Sequence, residues 1–244
     1  VAIACCLLPL VIGFILPLSR LVYWAGLTVA KVLDMSFLKL TLNSIGISAA
    51  AGLTTVLLAL FLAYTAKYFR SRTVRATNRL AILGYAVPGA VIAMGILLLT
   101  KQLNSATGWV ITGSLTMLVL AYIIRFLAVA WHPIDSGMEQ NCEQLNNASR
   151  SLGASAAQSL IQINMPLLCN SLVAAGLFVF VDTMKELPLT LILRPFNFET
   201  LSTKTFDLAK QAQIPESSVS ALCIIIVSLL PVIWLNRQIR TMEK

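Results

Sequence analysis

Six long apolar runs, at about residues 2–24, 42–66, 80–100, 109–131, 167–193 and 218–236, constrain this chain more than any other feature. A hydrocarbon core about 30 Å thick is crossed by roughly 20 apolar residues in helical form, and each run is long enough. Lipid offers no hydrogen-bond partners, so a spanning run must satisfy its own backbone, which separate runs of this length do as helices. The expectation is an all-α, polytopic membrane helical bundle of about six transmembrane helices, forming one domain over residues 1–244. Composition agrees: 58% of residues are hydrophobic and only 11% charged, against about half and a quarter in soluble domains.

The formal net charge of +8 raises nucleic acid as a partner, but the basic residues fall in short segments between the runs. That is the pattern of cytoplasmic loops under the positive-inside rule, and no nucleic-acid partner is expected. Lys67, Arg70, Arg72, Arg75 and Arg79 follow the second run without an acid among them, and Arg237 and Arg240 follow the sixth. Both segments are predicted to be cytoplasmic. Alternating the crossings then puts 132–166 in the cytoplasm with the C-terminus, and 194–217 outside. The 132–166 segment is nearly neutral, Arg150 standing against Asp135, Glu139 and Glu143.

Within the third run, Pro88 lacks an amide hydrogen and should kink the helix, either for packing or beside a substrate, while Gly84 and Gly89 allow a neighbour to approach closely. The small residues of 44–52 suggest a helix-packing face in the second span. Arg125, placed near the cytoplasmic end of the fourth run, can snorkel to the interface and reads as structural. His132 is the one histidine, and with no second it makes no metal site. The cysteines Cys5, Cys6, Cys142, Cys169 and Cys223 contain no C-x-x-C pair, so neither a metal cluster nor a disulfide framework is expected. Nor is a cofactor: the glycines of 108–114 lack the lysine of a phosphate-binding loop, and no proteolytic or hydrolytic motif is present. The chain is not expected to be an enzyme. It opens at Val1 inside apolar sequence, without an initiator methionine or a leader pattern, and reads as the later part of a longer protein.

Segment 132–166 is the most informative. Met138, Cys142, Leu145, Ser149 and Leu152 recur at helical spacing along one side. Gly153 permits a sharp turn or a C-terminal cap, 154–163 can form a second short helix, and Pro166 fits the first turn of the next membrane helix. Helix, glycine turn and helix facing the cytoplasm make a docking knob.

These residues resemble the E-A-A-x-x-x-G-x9-I-x-L-P signature of ABC importer permeases, which carry it in the loop that docks into the nucleotide-binding subunit. Asn147, Ala148 and Ser149, then Gly153, then Ile163 and Pro166, match at the right spacing. Asn147 replaces the glutamate of the signature, Ser149 its second alanine and Met165 its leucine. Small residues at 148, 149 and 153 let a helix seat in a cleft, and Glu143, one turn before Asn147, can supply the missing charge. The resemblance implies a permease of the type I importer kind, served by a dimer of cytoplasmic ABC ATPase subunits and an external substrate-binding protein.

The fifth run carries Asp182, Lys185 and Glu186 at membrane depth, where charges are costly and face a cavity or one another. Their i,i+3 and i,i+4 spacing would put one cation between two carboxylates on a single face, with Pro188 breaking the helix beside them. Residue pattern alone leaves two readings open, a satisfied patch that positions a broken helix, or part of a translocation path. Lys185 to Pro188, Thr190-Leu191, Leu193 to Phe196, Phe198 and Thr200-Leu201 are similar to a stretch of ferric-iron-type permeases. That resemblance favours the path, with Asp182, Lys185, Glu186 and Pro188 as its candidates, and runs from about residue 40 onward. It implies a bacterial inner-membrane importer of ferric iron, paired with a second six-helix half. Iron would be cargo, touched through weak oxygen contacts such as those of Asp182 and Glu186, with no stable metal site. Related permeases carry thiamine or phosphonate. An ion-coupled secondary transporter using Asp182 and Glu186 is the alternative from another class, and a non-transporting scaffold a third.

Overall fold

The computed structural model describes residues 7–69, 71–108, 111–141, 148–149, 151 and 153–242. Asn147, Glu143 and Cys142 lie outside the described residues, as do Cys5, Cys6, Arg70, Leu145, Arg150 and Leu152. The helices are α1 (Leu16–Val32), α2 (Met35–Phe69), α3 (Arg72–Ala81), α4 (Gly89–Thr107), α5 (Leu115–Asn141), α6 (Ala156–Ser159), α7 (Cys169–Met184), α8 (Pro188–Leu193), α9 (Leu201–Lys210) and α10 (Ile214–Met242). A π-turn precedes α1, a 3-10 turn over Ile82–Ala86 follows α3, and α6 runs on through a π-turn to Leu167. No strand occurs among the described residues.

Among the described residues four helices are long and apolar enough to cross a membrane by themselves, Leu7–Val32, Met35–Tyr68, Leu115–Glu139 and Ile214–Arg237, and counting two bent pairs brings the candidate spans to six. The bent pairs are the third and fifth expected spans. In the third, Val87 leaves the helical region (ψ 132°) because the residue before a proline is pushed to extended backbone. The expected kink is therefore a complete break, and the segments on either side meet at 115°. In the fifth, Leu168 separates α7 from the preceding helical turn at 68°, so Pro166 sits before the break and not in the first turn of α7 itself.

The chain forms two compact units. In the first, residues 1–45 and 197–244, α1 lies along α10, tied by the Thr28 hydroxyl donating to Pro215 O at 2.9 Å. Asp34 starts α2 by accepting the Phe37 amide at 2.8 Å and the Ser36 hydroxyl at 2.7 Å. These bonds favour the ionised form and hold the Asp34 carboxyl below the usual carboxylate range. A reciprocal cap opens α9: Thr200 accepts the Thr203 amide at 3.4 Å and Thr203 accepts the Thr200 amide at 3.0 Å. Another first-turn donor, Leu201 N–H, reaches Ser44 Oγ at 2.7 Å.

The second unit, residues 46–196, holds the glycine turn at 153 and the charges of the fifth span. Small residues at helical spacing on α2, namely Ser48, Ala51, Thr55, Ala59 and Ala63, are buried, as a packing face requires. Gly84 abuts the carbonyl of Ile124 in α5 so closely that a Cβ there would overlap it. Helix α5 continues well past the apolar run that ends near 131, through Pro133 to Asn141, burying Ile134 and Met138 one turn apart. Lys67 at the end of α2 pairs with Asp135 and Glu139 of α5 at 3.8 and 3.4 Å. The basic 67–79 segment and the acids that follow the fourth span thus meet at one end of the unit.

Candidate functional site

The segment around Gly153 is built from the turn outward. Gly153 has φ +84°, left-handed backbone that costs a side-chain-bearing residue about 1–2 kcal/mol, and Ala154 N–H donates to Ser149 O at 3.0 Å. That is the six-residue closing bond of a glycine-terminated helix. Immediately afterwards Ser155 and Gln158 form a capping box: Gln158 N–H donates to Ser155 Oγ at 3.3 Å and Ser155 N–H to Gln158 Oε1 at 2.9 Å. One helix therefore stops and another starts within a few residues. The hydroxyls of Ser149 and Ser159 are buried at 2.8 Å from each other across the turn. Ala148, Gly153 and Pro166 are exposed and Ile163 is half-buried. Helical backbone at Ala148, Ser149 and Ser151, the turn at Gly153 and a short helix over Ala156–Ser159 are present, while Asn147 and the expected first-helix residues Cys142, Leu145 and Leu152 lie outside the described residues.

The charges of the fifth span are arranged differently from the expectation. Lys185 and Asp182 pair at 2.8 Å, i to i+3, but α7 ends at Met184 and the chain turns at Lys185. Glu186 leaves that face. A single face with a cation between two carboxylates does not form, because the helix ends before it can carry Glu186 round to Asp182. Among the described residues no group of three or more His, Cys, Asp or Glu side chains converges on a metal-sized site.

Glu186 instead pairs with Arg125, whose Nε donates to Oε2 at 3.1 Å, the side chains being 8% and 19% exposed. Its other oxygen accepts Leu189 N–H in the first turn of α8 at 3.3 Å, where a carboxylate suits the positive end of the helix. Arg125 also donates from Nη1 to Val87 O at 2.6 Å, the carbonyl left outside the ladder by the break at Pro88. Snorkelling of Arg125 is thereby corrected: the run boundary near 131 placed it at a membrane edge, whereas in the longer α5 it lies well inside the helix and points to the breaks. Gly89 completes the cluster, since a Cβ there would lie 2.5 Å from Glu186 Oε1 and 3.4 Å from Arg125 Cζ. Beside it Tyr122 and Thr190 hydroxyls are 2.6 Å apart and buried, and Thr190 also donates to Glu186 O at 2.7 Å. Pro188 opens α8 in its first turn, where a missing amide costs nothing. Sequence reasoning missed Arg125 as a partner for Glu186. The available signal was charge balance: once Asp182 takes Lys185, Glu186 still needs a cation from an apolar run, and Arg125 and Arg20 are the two such runs offer.

The described residues thus form a helical bundle with up to six candidate spans, two of them bent, and a capped turn at Gly153 after the fourth. The family profile of the binding-protein-dependent transport system inner membrane component matches residues 55–243, and the chain belongs to that family. It is 29% identical over 224 residues to the Fe(3+)-transport system permease protein FbpB 2 of Haemophilus influenzae, covering 91% of this chain and 44% of that protein. The chain thus spans less than half the length of that relative. It is 24% identical to the putative 2-aminoethylphosphonate transport system permease protein PhnV of Salmonella paratyphi A, over 80% of this chain and 72% of the relative. In fold it is similar to a bacterial ABC transporter involved in the import of the acidic polysaccharide alginate, with TM-score 0.78 at 13% identity over 100% of this chain and 95% of that one. The MetNI methionine ABC transporter matches at TM-score 0.63 and 12% identity, over 86% and 99%. The chain is therefore a multi-pass inner-membrane transport permease.

Proposed function

We propose that this chain is the second membrane half of an ATP-driven importer of ferric iron, fed by an external substrate-binding protein and energised by a separate cytoplasmic ABC ATPase dimer. The observation that carries the coupling role is the capped turn at Gly153, which joins helical backbone at Ala148 and Ser149 to the short helix α6. Movement of the ATPase dimer is transmitted through 148–166 to the spans, which alternate between outward and inward access. The meeting of Lys67 with Asp135 and Glu139 supports a cytoplasmic position for both segments, and Arg237 and Arg240 support a cytoplasmic C-terminus. A second six-helix half, fused or separate, completes the path.

Ferric iron is favoured by the relative matched over 91% of the chain and by the resemblance of residues 185–201. Along the path, Asp182 with Lys185 is the polar pair open to transient contact, and Glu186 with Pro188 shapes the break beside it. No resident metal or cofactor is required, because the binding protein holds the hard cation until release. The position of Glu186, engaged by Arg125 and the α8 amide, weighs against the ion-coupled alternative in which it binds a coupling ion. A 2-aminoethylphosphonate cargo is the second reading, favoured by the PhnV likeness.

The test is uptake in cells that lack other iron importers and express the chain with its neighbouring coding regions. Radiolabelled iron accumulation that needs the ATPase and survives an uncoupler is expected. Accumulation of labelled 2-aminoethylphosphonate instead would discard iron and keep the importer.

A further inference from the structure

Two breaks in apolar helices release polar groups that a lipid surrounding could not satisfy, and one side chain serves both. The third span breaks at Val87-Pro88 and leaves Val87 O, to which Arg125 donates at 2.6 Å. Beyond the bend of the fifth span at Leu168, helix α7 ends at Met184 in a second break and turns out the Glu186 carboxylate, to which Arg125 donates at 3.1 Å. The same carboxylate caps α8 through Leu189 N–H, and Gly89, the first residue of α4, leaves just the room it needs. A planar guanidinium with several fixed donors can make both bonds at once, whereas an ammonium is a single point charge.

We propose that Arg125 is a positioning residue for transport: it locks the third, fourth and fifth spans into one body, so that movement received at the 148–166 turn reaches both breaks together. This rests on the reading of the chain as an importer permease. The turn lies in sequence between α5, which carries Arg125, and α7, which ends at the second break, so force on it acts on both arms of the clamp. A body held by a buried fork moves as a unit, in the manner of rigid rotations in other switching proteins.

The test uses the full complex with its ATPase and binding protein in lipid. In a background with the five cysteines replaced by alanine, spin labels are placed at Leu99 on α4 and Phe178 on α7, both exposed on the outer surface. The distance between them is expected to stay the same in the nucleotide-free and ATP-trapped states, and a shift between states in the unsubstituted clamp overturns the proposal. Arg125→Gln and Arg125→Lys are expected to broaden that distance and lower cargo transported per ATP hydrolysed about tenfold, within the range of coupling between sites, with ATP hydrolysis retained. Lysine that restores the wild-type ratio also overturns it, since charge alone would then suffice. Failure of the parent complex to respond to its binding protein would instead count against the importer reading, while the label distance still reports on the clamp.

Discussion

The buried hydroxyls of Ser149 and Ser159 lie 2.8 Å apart and bridge the two short helices on either side of Gly153. Serine at 149 stands where the permease signature has alanine, and this bond fixes the angle between the helices that an alanine would leave to packing. Ser149→Ala removes a neutral bond worth about 0.5–1.5 kcal/mol net. The account expects a modestly reduced ATPase response to binding protein, with assembly unchanged, measured on purified complex. Ser149→Val, too broad for a buried site beside a turn, is expected to lose the response.

Gly84 gives a sharper packing prediction. A Cβ there would overlap Ile124 O, a backbone atom that cannot swing aside, whereas a Cβ at Gly95 meets no atom within 4 Å. Gly84→Ala should therefore separate the 3-10 turn from α5 and cost about 1–3 kcal/mol, as overpacking does. Gly95→Ala should be neutral or slightly stabilising through helix propensity. Thermal unfolding of the two variants in detergent compares them directly. Equal melting temperatures would contradict the close approach.

Asp34 supplies the pH dependence. Its carboxyl is held below the usual range by the Ser36 hydroxyl and the Phe37 amide, so the folded state binds that proton less readily than the unfolded chain. The sign follows: its stabilisation is fully present above the unfolded value near 3.9 and is lost as pH falls through the lower folded one. The melting-temperature difference between wild type and Asp34→Ala should hold constant from neutral pH down to about 5 and close below about 4. A difference that persists unchanged into strong acid would show that the cap does not act through its charge.

Breaking the buried pair from the carboxylate side is the fourth case. Glu186→Ala leaves Arg125 with Val87 O but without a counter-charge, and removing one member of a buried pair typically costs about 3–5 kcal/mol. Asp182→Asn, by contrast, acts on a pair whose lysine is largely exposed. It is expected to leave assembly intact and reduce cargo uptake. Quantifying assembled complex and uptake for both variants separates the two roles, and loss of assembly in Asp182→Asn would remove it from the path.

The elements that sequence makes legible are those set by local rules. Gly153 reads as a helix end because few other residues accept its backbone, and Pro88 and Pro188 announce breaks because proline has no amide to give. Apolar runs locate the spans, yet they misplace their ends. Helix α5 outruns its apolar stretch because Ile134 and Met138 keep a buried face after the average polarity has risen. That error put Arg125 near the end of its helix, whereas the helix runs on for sixteen more residues to Asn141. Its partner Glu186 is 61 residues away, and periodicity, which works within one helix, carries no information about such a pair. The local spacing of Asp182, Lys185 and Glu186 misled for the opposite reason, since a helix that ends at Met184 no longer has i,i+4 neighbours across its terminus.

The most direct test of the central claim is ATP hydrolysis by the complex in liposomes, with the binding protein empty, iron-loaded or loaded with 2-aminoethylphosphonate, for wild type and Gly153→Leu. The account predicts stimulation of the wild type by the iron-loaded protein and its loss in Gly153→Leu, where the left-handed turn is no longer tolerated, with ATPase subunits still present in the membrane. Stimulation that survives Gly153→Leu, or an ATPase that never associates with this chain, would contradict it.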